Sequence, residues 1–228
     1  MRILFTSLLL VALLLAGCAT LFPPADPRPV EEIVAQAEDL VQRRAYAGAA
    51  DLYQKAITKQ PENGRWYLRH CELLEALNRD KEARASYRRG ISRATGGTPE
   101  HFELMHRLAL LSAEHLHDID TAEDILEKLP GGSVARLDLA GYLYYQANQH
   151  ELSIKTLNQA LERARDNDQK AIILYHAALV YAALKDEKNA VTSLFHAINN
   201  ATHLGLIRDI SALWSTVNSS QPLPQKTD

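Results

Sequence analysis

The feature that most constrains this chain is a spacing. Ala49, Tyr53 and Ala56 return 34 residues later as Ala83, Tyr87 and Gly90. Gly141, Tyr144, Ser153, Leu157 and Ala160 return 37 residues later as Ala178, Tyr181, Ala190, Leu194 and Ala197. Ala109, Ala122, Leu126 and Leu129 form a less regular set between them. Recurrence at such a period points to stacked supersecondary units, none of which can bury its apolar face alone. The small residues let two helices approach closely, and the large ones fill the space beside them. No stretch alternates with period two for long enough to argue a sheet.

Punctuation agrees with the spacing. Thr98-Pro99 reads as a helix N-cap and first helical position. Asp80 and Asp186 sit at inner turns, and Gly96-Gly97 and Gly131-Gly132 separate units. Helices are expected near 31–43, 46–59, 64–77, 80–94, 99–116, 119–129, 133–147, 150–165, 169–184 and 187–200. One more, near 203–217, carries a stripe of Leu204, Ile207, Ile210, Leu213 and Trp214 opposite Arg208, Asp209 and Ser211. That is the form of a cap closing the end of a stack with a polar outer face. Residues 219–228 are polar and read as a loose tail.

The offsets resemble those of the tetratricopeptide repeat, a 34-residue pair of antiparallel helices. Repeat one contributes Ala37, Leu40, Ala49, Tyr53, Ala56 and Pro61; repeat two, Cys71, Leu74, Ala83, Tyr87 and Gly90. Repeat three contributes Leu108, Ala109, Ala122, Leu126 and Leu129, with an inner loop one residue longer and Ser112 where a large residue belongs. Repeat four has Ala140, Gly141, Tyr144, Ser153, Leu157 and Ala160; repeat five, Ala177, Ala178, Tyr181, Ala190, Leu194 and Ala197. The resemblance covers residues 30–200. It implies an all-α, right-handed superhelical solenoid of about five helix-turn-helix repeats plus a C-terminal capping helix.

The beginning of the chain carries a second pattern. Met1-Arg2 is followed by an apolar run from Ile3 to Ala16, about fourteen residues. That is shorter than the roughly 20 a spanning helix needs and has the form of a secretory signal. Leu15-Ala16-Gly17-Cys18 then resembles the lipobox of bacterial lipoproteins. The resemblance implies cleavage before Cys18, acylation of that cysteine and a cell-envelope location, with Ala19 favouring the outer membrane, facing the periplasm. Pro23, Pro24, Pro27 and Pro29 make residues 18–29 a stiff, extended tether that reaches roughly 30–37 Å. The expected organisation is a leader over 1–17, a lipidated tether over 18–29, a repeat domain over 30–218 and a tail over 219–228.

Little in the sequence points to chemistry. A net charge of -3 argues against nucleic acid as a partner. There is no Gly-x-Ser-x-Gly elbow and no phosphate-binding glycine loop. His115, His117, Asp118 and Asp120 lie close in sequence, as do His101 and His106, but no zinc-type spacing is present. His150-Glu151 begins one such motif and Ile154 breaks it. Cys71 falls at a packing position, so it is expected to be inert. The reading is of a non-enzymatic protein with no cofactor, no metal and no small-molecule substrate.

The repeat resemblance implies a concave groove lined by the first helix of each repeat, where peptides dock. The matching positions are Arg65, Arg69, Glu72 and Glu75 in repeat two, and Glu103, His106 and Arg107 in repeat three. Repeat four supplies Asp138, Tyr142 and Tyr145, and repeat five Tyr175 and His176. Arg65, Arg69, Glu72, His106, Tyr142, Tyr145 and Tyr175 are the candidate binding residues, tyrosine because it joins apolar area to a polar tip. Val34 and Glu38 stand where a carboxylate clamp would need Lys and Asn, which argues against capture of a chaperone tail. The expected function is an envelope adaptor or scaffold, anchored through Cys18, with a protein or peptide partner in the groove. The alternatives are a self-associating structural subunit or a metal-dependent activity in the groove.

Overall fold

The computed structural model describes residues 26–218, which form eleven helices and no strand. They are α1 (Val30–Gln42), α2 (Tyr46–Lys59), α3 (Gly64–Ala76), α4 (Asp80–Arg93), α5 (Pro99–Glu114) and α6 (Ile119–Lys128). Then come α7 (Val134–Gln146), α8 (His150–Arg163), α9 (Asn167–Ala183), α10 (Glu187–Asn200) and α11 (Leu204–Val217). Every end lies within two residues of its expected position. The lipobox, most of the tether and the tail lie outside the described residues. The last part of the tether is docked: Asp26 pairs with Arg28 at 2.7 Å and with Lys55 of α2 at 3.3 Å.

Inner turns set the repeat geometry. In four of the five, a three-residue turn holds one residue in the left-handed region: Arg44, Asn78, Asn148 and Lys185, with φ of 56–60°. Each turn is a Schellman closure. The N–H of Ala45 donates to the carbonyl of Leu40 at 2.8 Å, and that of Arg44 to Val41 at 2.9 Å. Arg79, Gln149 and Asp186 donate equivalently to Leu74, Tyr144 and Tyr181. Repeat three has the longer loop anticipated above: His117 takes the left-handed place and Asp118 N–H reaches the Ser112 carbonyl at 2.8 Å. Thr98 caps α5 by accepting from His101 N–H, with Pro99 as the first helical residue.

Consecutive helices pack antiparallel, and the first helices of successive repeats, α3, α5, α7 and α9, also touch in sequence. The spacing residues are the seam. Ala37, Ala49, Ala56, Cys71, Ala83, Ala109, Ala122, Ala160, Ala178, Ala190 and Ala197 are fully buried, as are Tyr53, Tyr87, Leu157 and Leu194 to within 1%. Gly141 shows why the seam is small: a Cβ there would lie 2.7 Å from Leu157. Tyr144 and Tyr181, expected to fill the core, are only half-buried. In α7 that place goes to Tyr142, 3% exposed, whose ring lies 5.0 Å from His176.

The apolar interior is in two clusters, one around repeat one and a larger one through repeats two to five and α11. The expected C-terminal helix α11 follows the fifth repeat. Besides α10, α11 packs against α3 and α9, so it turns back across the stack instead of extending it. Leu204 reaches the repeat-one cluster, while Leu206, Ile210 and Trp214 enter the larger one. Arg208 and Asp209, expected on the outer face, point inward, because the surface that α11 covers is itself charged.

Candidate functional site

The first helices of the repeats present a continuous polar face. Its centre is an ionic cluster around the fully buried Asp138. Asp138 of α7 accepts from His106 Nε2 of α5 at 3.0 Å and from His176 Nδ1 of α9 at 2.8 Å. His176 Nε2 donates onward to Glu114 of α5 at 3.0 Å. Burial opposes charge on both partners, yet the pairing wins. His176 is raised to about 10 by Asp138 and Glu114, and Asp138 is held well below the usual carboxylate range by the two imidazoles. The cluster ties repeats three, four and five together.

Beside it lies the face that α11 covers. Glu72 of α3, 5% exposed, accepts the Leu204 N–H at 3.0 Å, so a carboxylate meets the positive end of a helix. Glu75, 8% exposed, accepts from the Tyr87 hydroxyl at 2.6 Å, and burial pushes it up to about 7. A Cβ on Gly205 would lie 2.9 Å from Glu75 Oε2. Arg208 donates to the Glu75 carbonyl and to Asn78 Oδ1, and it pairs with Asp209 at 2.8 Å. Asp209 in turn meets His115 Nε2 at 3.2 Å. The connection into α11 is fixed by Asp168 of α9, which accepts from Thr202 and His203 N–H. A cavity of about 30 Å³ remains between α11 and Glu75, Arg107, Tyr175 and His115.

Beyond α11 the groove stays open. A mouth of about 430 Å³ is lined by Arg65 and Leu68 of α3, Glu100, Glu103, His106 and Arg107 of α5, and Asp168 and Ile172 of α9. Arg65 is exposed and pairs with Glu100 at 3.1 Å; Arg107 pairs with Glu103 at 2.7 Å.

The candidate binding residues thus fall into separate environments. Arg65 and His106 reach the open mouth, though His106 is buried and committed to Asp138. Arg69 is held between Glu38 and Glu72, and Glu72 is already engaged by α11. Tyr175 is buried beside α11, and Tyr142 packs on His176. Tyr145 is half-buried, its ring 5.9 Å from Tyr142 and 6.1 Å from His150. Tyr142 therefore serves packing, while Tyr145 keeps part of its ring at the surface. The sequence offers His115 only as a metal candidate, places Arg208 and Asp209 on an outer face, and gives no role to Gly205. The signal was the apolar stripe of α11, which requires a partner surface and does not say which.

The histidine cluster is also rearranged. Asp118 caps α6 by accepting from Thr121, and His117 lies in the left-handed turn, so neither converges with His115. Ligand-type atoms of Glu114, His115 and Asp209 do lie within 4.8 Å of one another. Arg208 Nη2 stands 3.3 Å from His115 Nε2 and already supplies the cation there. Glu114 is meanwhile engaged by His176.

Residues 40–108 and 137–167 each match the family described as tetratricopeptide repeat. The fold is similar to a chain of the APC/C hetero-tetramer Cut9–Hcn1, at 13% identity and a TM-score of 0.60, over 91% of this chain and 43% of that one. It is also similar to TTC0263, a thermophilic TPR protein of Thermus thermophilus, at 14% identity and 0.56, over 81% and 98%. PilW, a widely conserved type IV pilus biogenesis factor, matches at 13% identity and 0.55, over 84% and 94%. At such identities the likeness is one of fold. No curated protein matches the sequence.

Proposed function

We propose that this solenoid of tetratricopeptide repeats is a protein-docking adaptor of a bacterial cell envelope, held by lipid on Cys18 at the periplasmic face of the outer membrane. The repeats support an interaction role in general. What carries the reading here is the groove, a charged concave face already shaped around a helix and still open at a mouth beside Arg65 and Glu100. The envelope location is supported by Leu15-Ala16-Gly17-Cys18 and Ala19, and the tether sets the distance from lipid. No catalytic step is assigned.

Two experiments test it. Replacing Cys18 by Ala should shift the protein from the membrane fraction to the soluble one and remove palmitate labelling; unchanged fractionation would refute the anchor. A photo-crosslinker replacing Arg65 in the native host should capture one defined envelope protein. Capture no greater than at the exposed outer position Lys59 would refute the groove as a docking surface.

A further inference from the structure

A permanent core is built from apolar groups, and ionisable side chains are buried at a cost. The surface under α11 sets such groups beside apolar ones. Glu72 and Glu75 are buried there, each above its ordinary carboxylate range because of that burial, and Arg107 lies among them. The contact is specific nonetheless. Glu72 takes a first-turn N–H, Gly205 lies against Glu75, Arg208 and Asp209 join the rim, and Leu206, Ile210 and Trp214 are buried at i, i+4 and i+8. The cavity of about 30 Å³ beside Glu75 is polar-lined and of a size that holds water. The helix is joined covalently to the repeats through residues 201–203, and its remaining hold on them is side-chain packing and the polar contacts just named.

We propose that α11 is an exchangeable resident of the groove, and that a helix of another protein takes its place. This rests on the groove being a docking surface. The incoming helix is defined by what receives α11. Its first turn offers free N–H groups to Glu72. Glycine stands at its second position, because a Cβ there meets Glu75. Apolar residues follow at fourfold spacing, with an Arg-Asp pair between the first two. The resident helix lowers apparent affinity by the fraction of time it occupies the site.

The test uses the full chain and a fluorescent synthetic peptide of residues 201–218. In hydrogen exchange on the unsubstituted chain, amides of residues 208–217 should exchange at least about a hundredfold faster than those at the centres of α3 and α9, as for a locally opening unit. Equal protection would overturn the proposal. Gly205→Leu should expel α11 and bind the peptide at least about tenfold more tightly than the unsubstituted chain. Should that variant fail to fold, Arg208→Glu, which loses the contacts to Glu75 and Asn78, serves the same purpose. A Glu75→Cys/Gly205→Cys pair, oxidised, should abolish peptide binding, and reduction should restore it. Peptide affinity indifferent to all of these changes would refute exchange. Dimerisation of Gly205→Leu through swapped α11 would overturn the foreign partner in favour of a second copy. If the peptide exchanges while the Arg65 crosslinker captures nothing, exchange stands and the adaptor reading falls.

Discussion

Asp138→Ala is the sharpest test of how the repeats are held in register. The carboxylate is fully buried and joins His106 and His176 across three repeats at 3.0 and 2.8 Å. Two routes give the cost. Removing one partner from a buried ionic set costs about 3–5 kcal/mol. Independently, His176 titrates at about 10 against an ordinary 6.5. At pH 7 its pairing therefore contributes about 4 kcal/mol as an upper bound, at about 1.4 kcal/mol per tenfold, part of which Glu114 retains. Both converge on a loss of about 3–4 kcal/mol, or about 6–15 °C in Tm for a domain of this size. The pH dependence is distinctive. A raised histidine contributes stability that is complete below pH 6.5 and is lost as pH rises through about 10. The gap between reference and variant in urea unfolding should thus shrink as pH rises from 7 to 10. A loss below about 1 kcal/mol at pH 7, or a gap that ignores pH, would refute the reasoning.

Other outcomes follow from the same contacts. Ala178→Leu should overpack the seam and lower stability by about 1–3 kcal/mol or more in the same urea assay. Glu75→Gln keeps an acceptor for Tyr87 but removes a carboxyl raised from 4.5 to about 7. The reference chain should lose stability as pH rises through that range, and the variant should not, measured as Tm against pH. His70 is buried against Ser86 and lowered to about 4, so acid should destabilise the chain progressively below pH 6.5, and His70→Asn should blunt that loss. Lys185→Gly should raise stability by about 0.5–1 kcal/mol, because a side chain is held at φ 60° there.

Sequence and structure divide along the range of the interactions. Helix positions, the inner turns and the longer loop of repeat three were legible, because caps, left-handed turns and small residues act over a few positions of chain. Ala83 and Ala190 announced their burial by spacing alone. Tyr142 and Tyr144 did not, because which of two neighbouring rings turns inward depends on His176, which lies across the stack.

The groove was legible as a set of positions and not as an arrangement. Nothing local to Asp138 foretells that His106 and His176 meet there, since they are brought together only when three repeats stack. The course of α11 is the largest case. Its amphipathic stripe requires a partner surface, which the sequence established. Both the end of the solenoid and its hollow could have supplied one. The hollow prevails because Glu72 receives the helix N-terminus, and Gly205 lets the helix lie against Glu75. That choice sums contacts between residues about 130 positions apart, which periodicity cannot report and only the folded superhelix brings within reach.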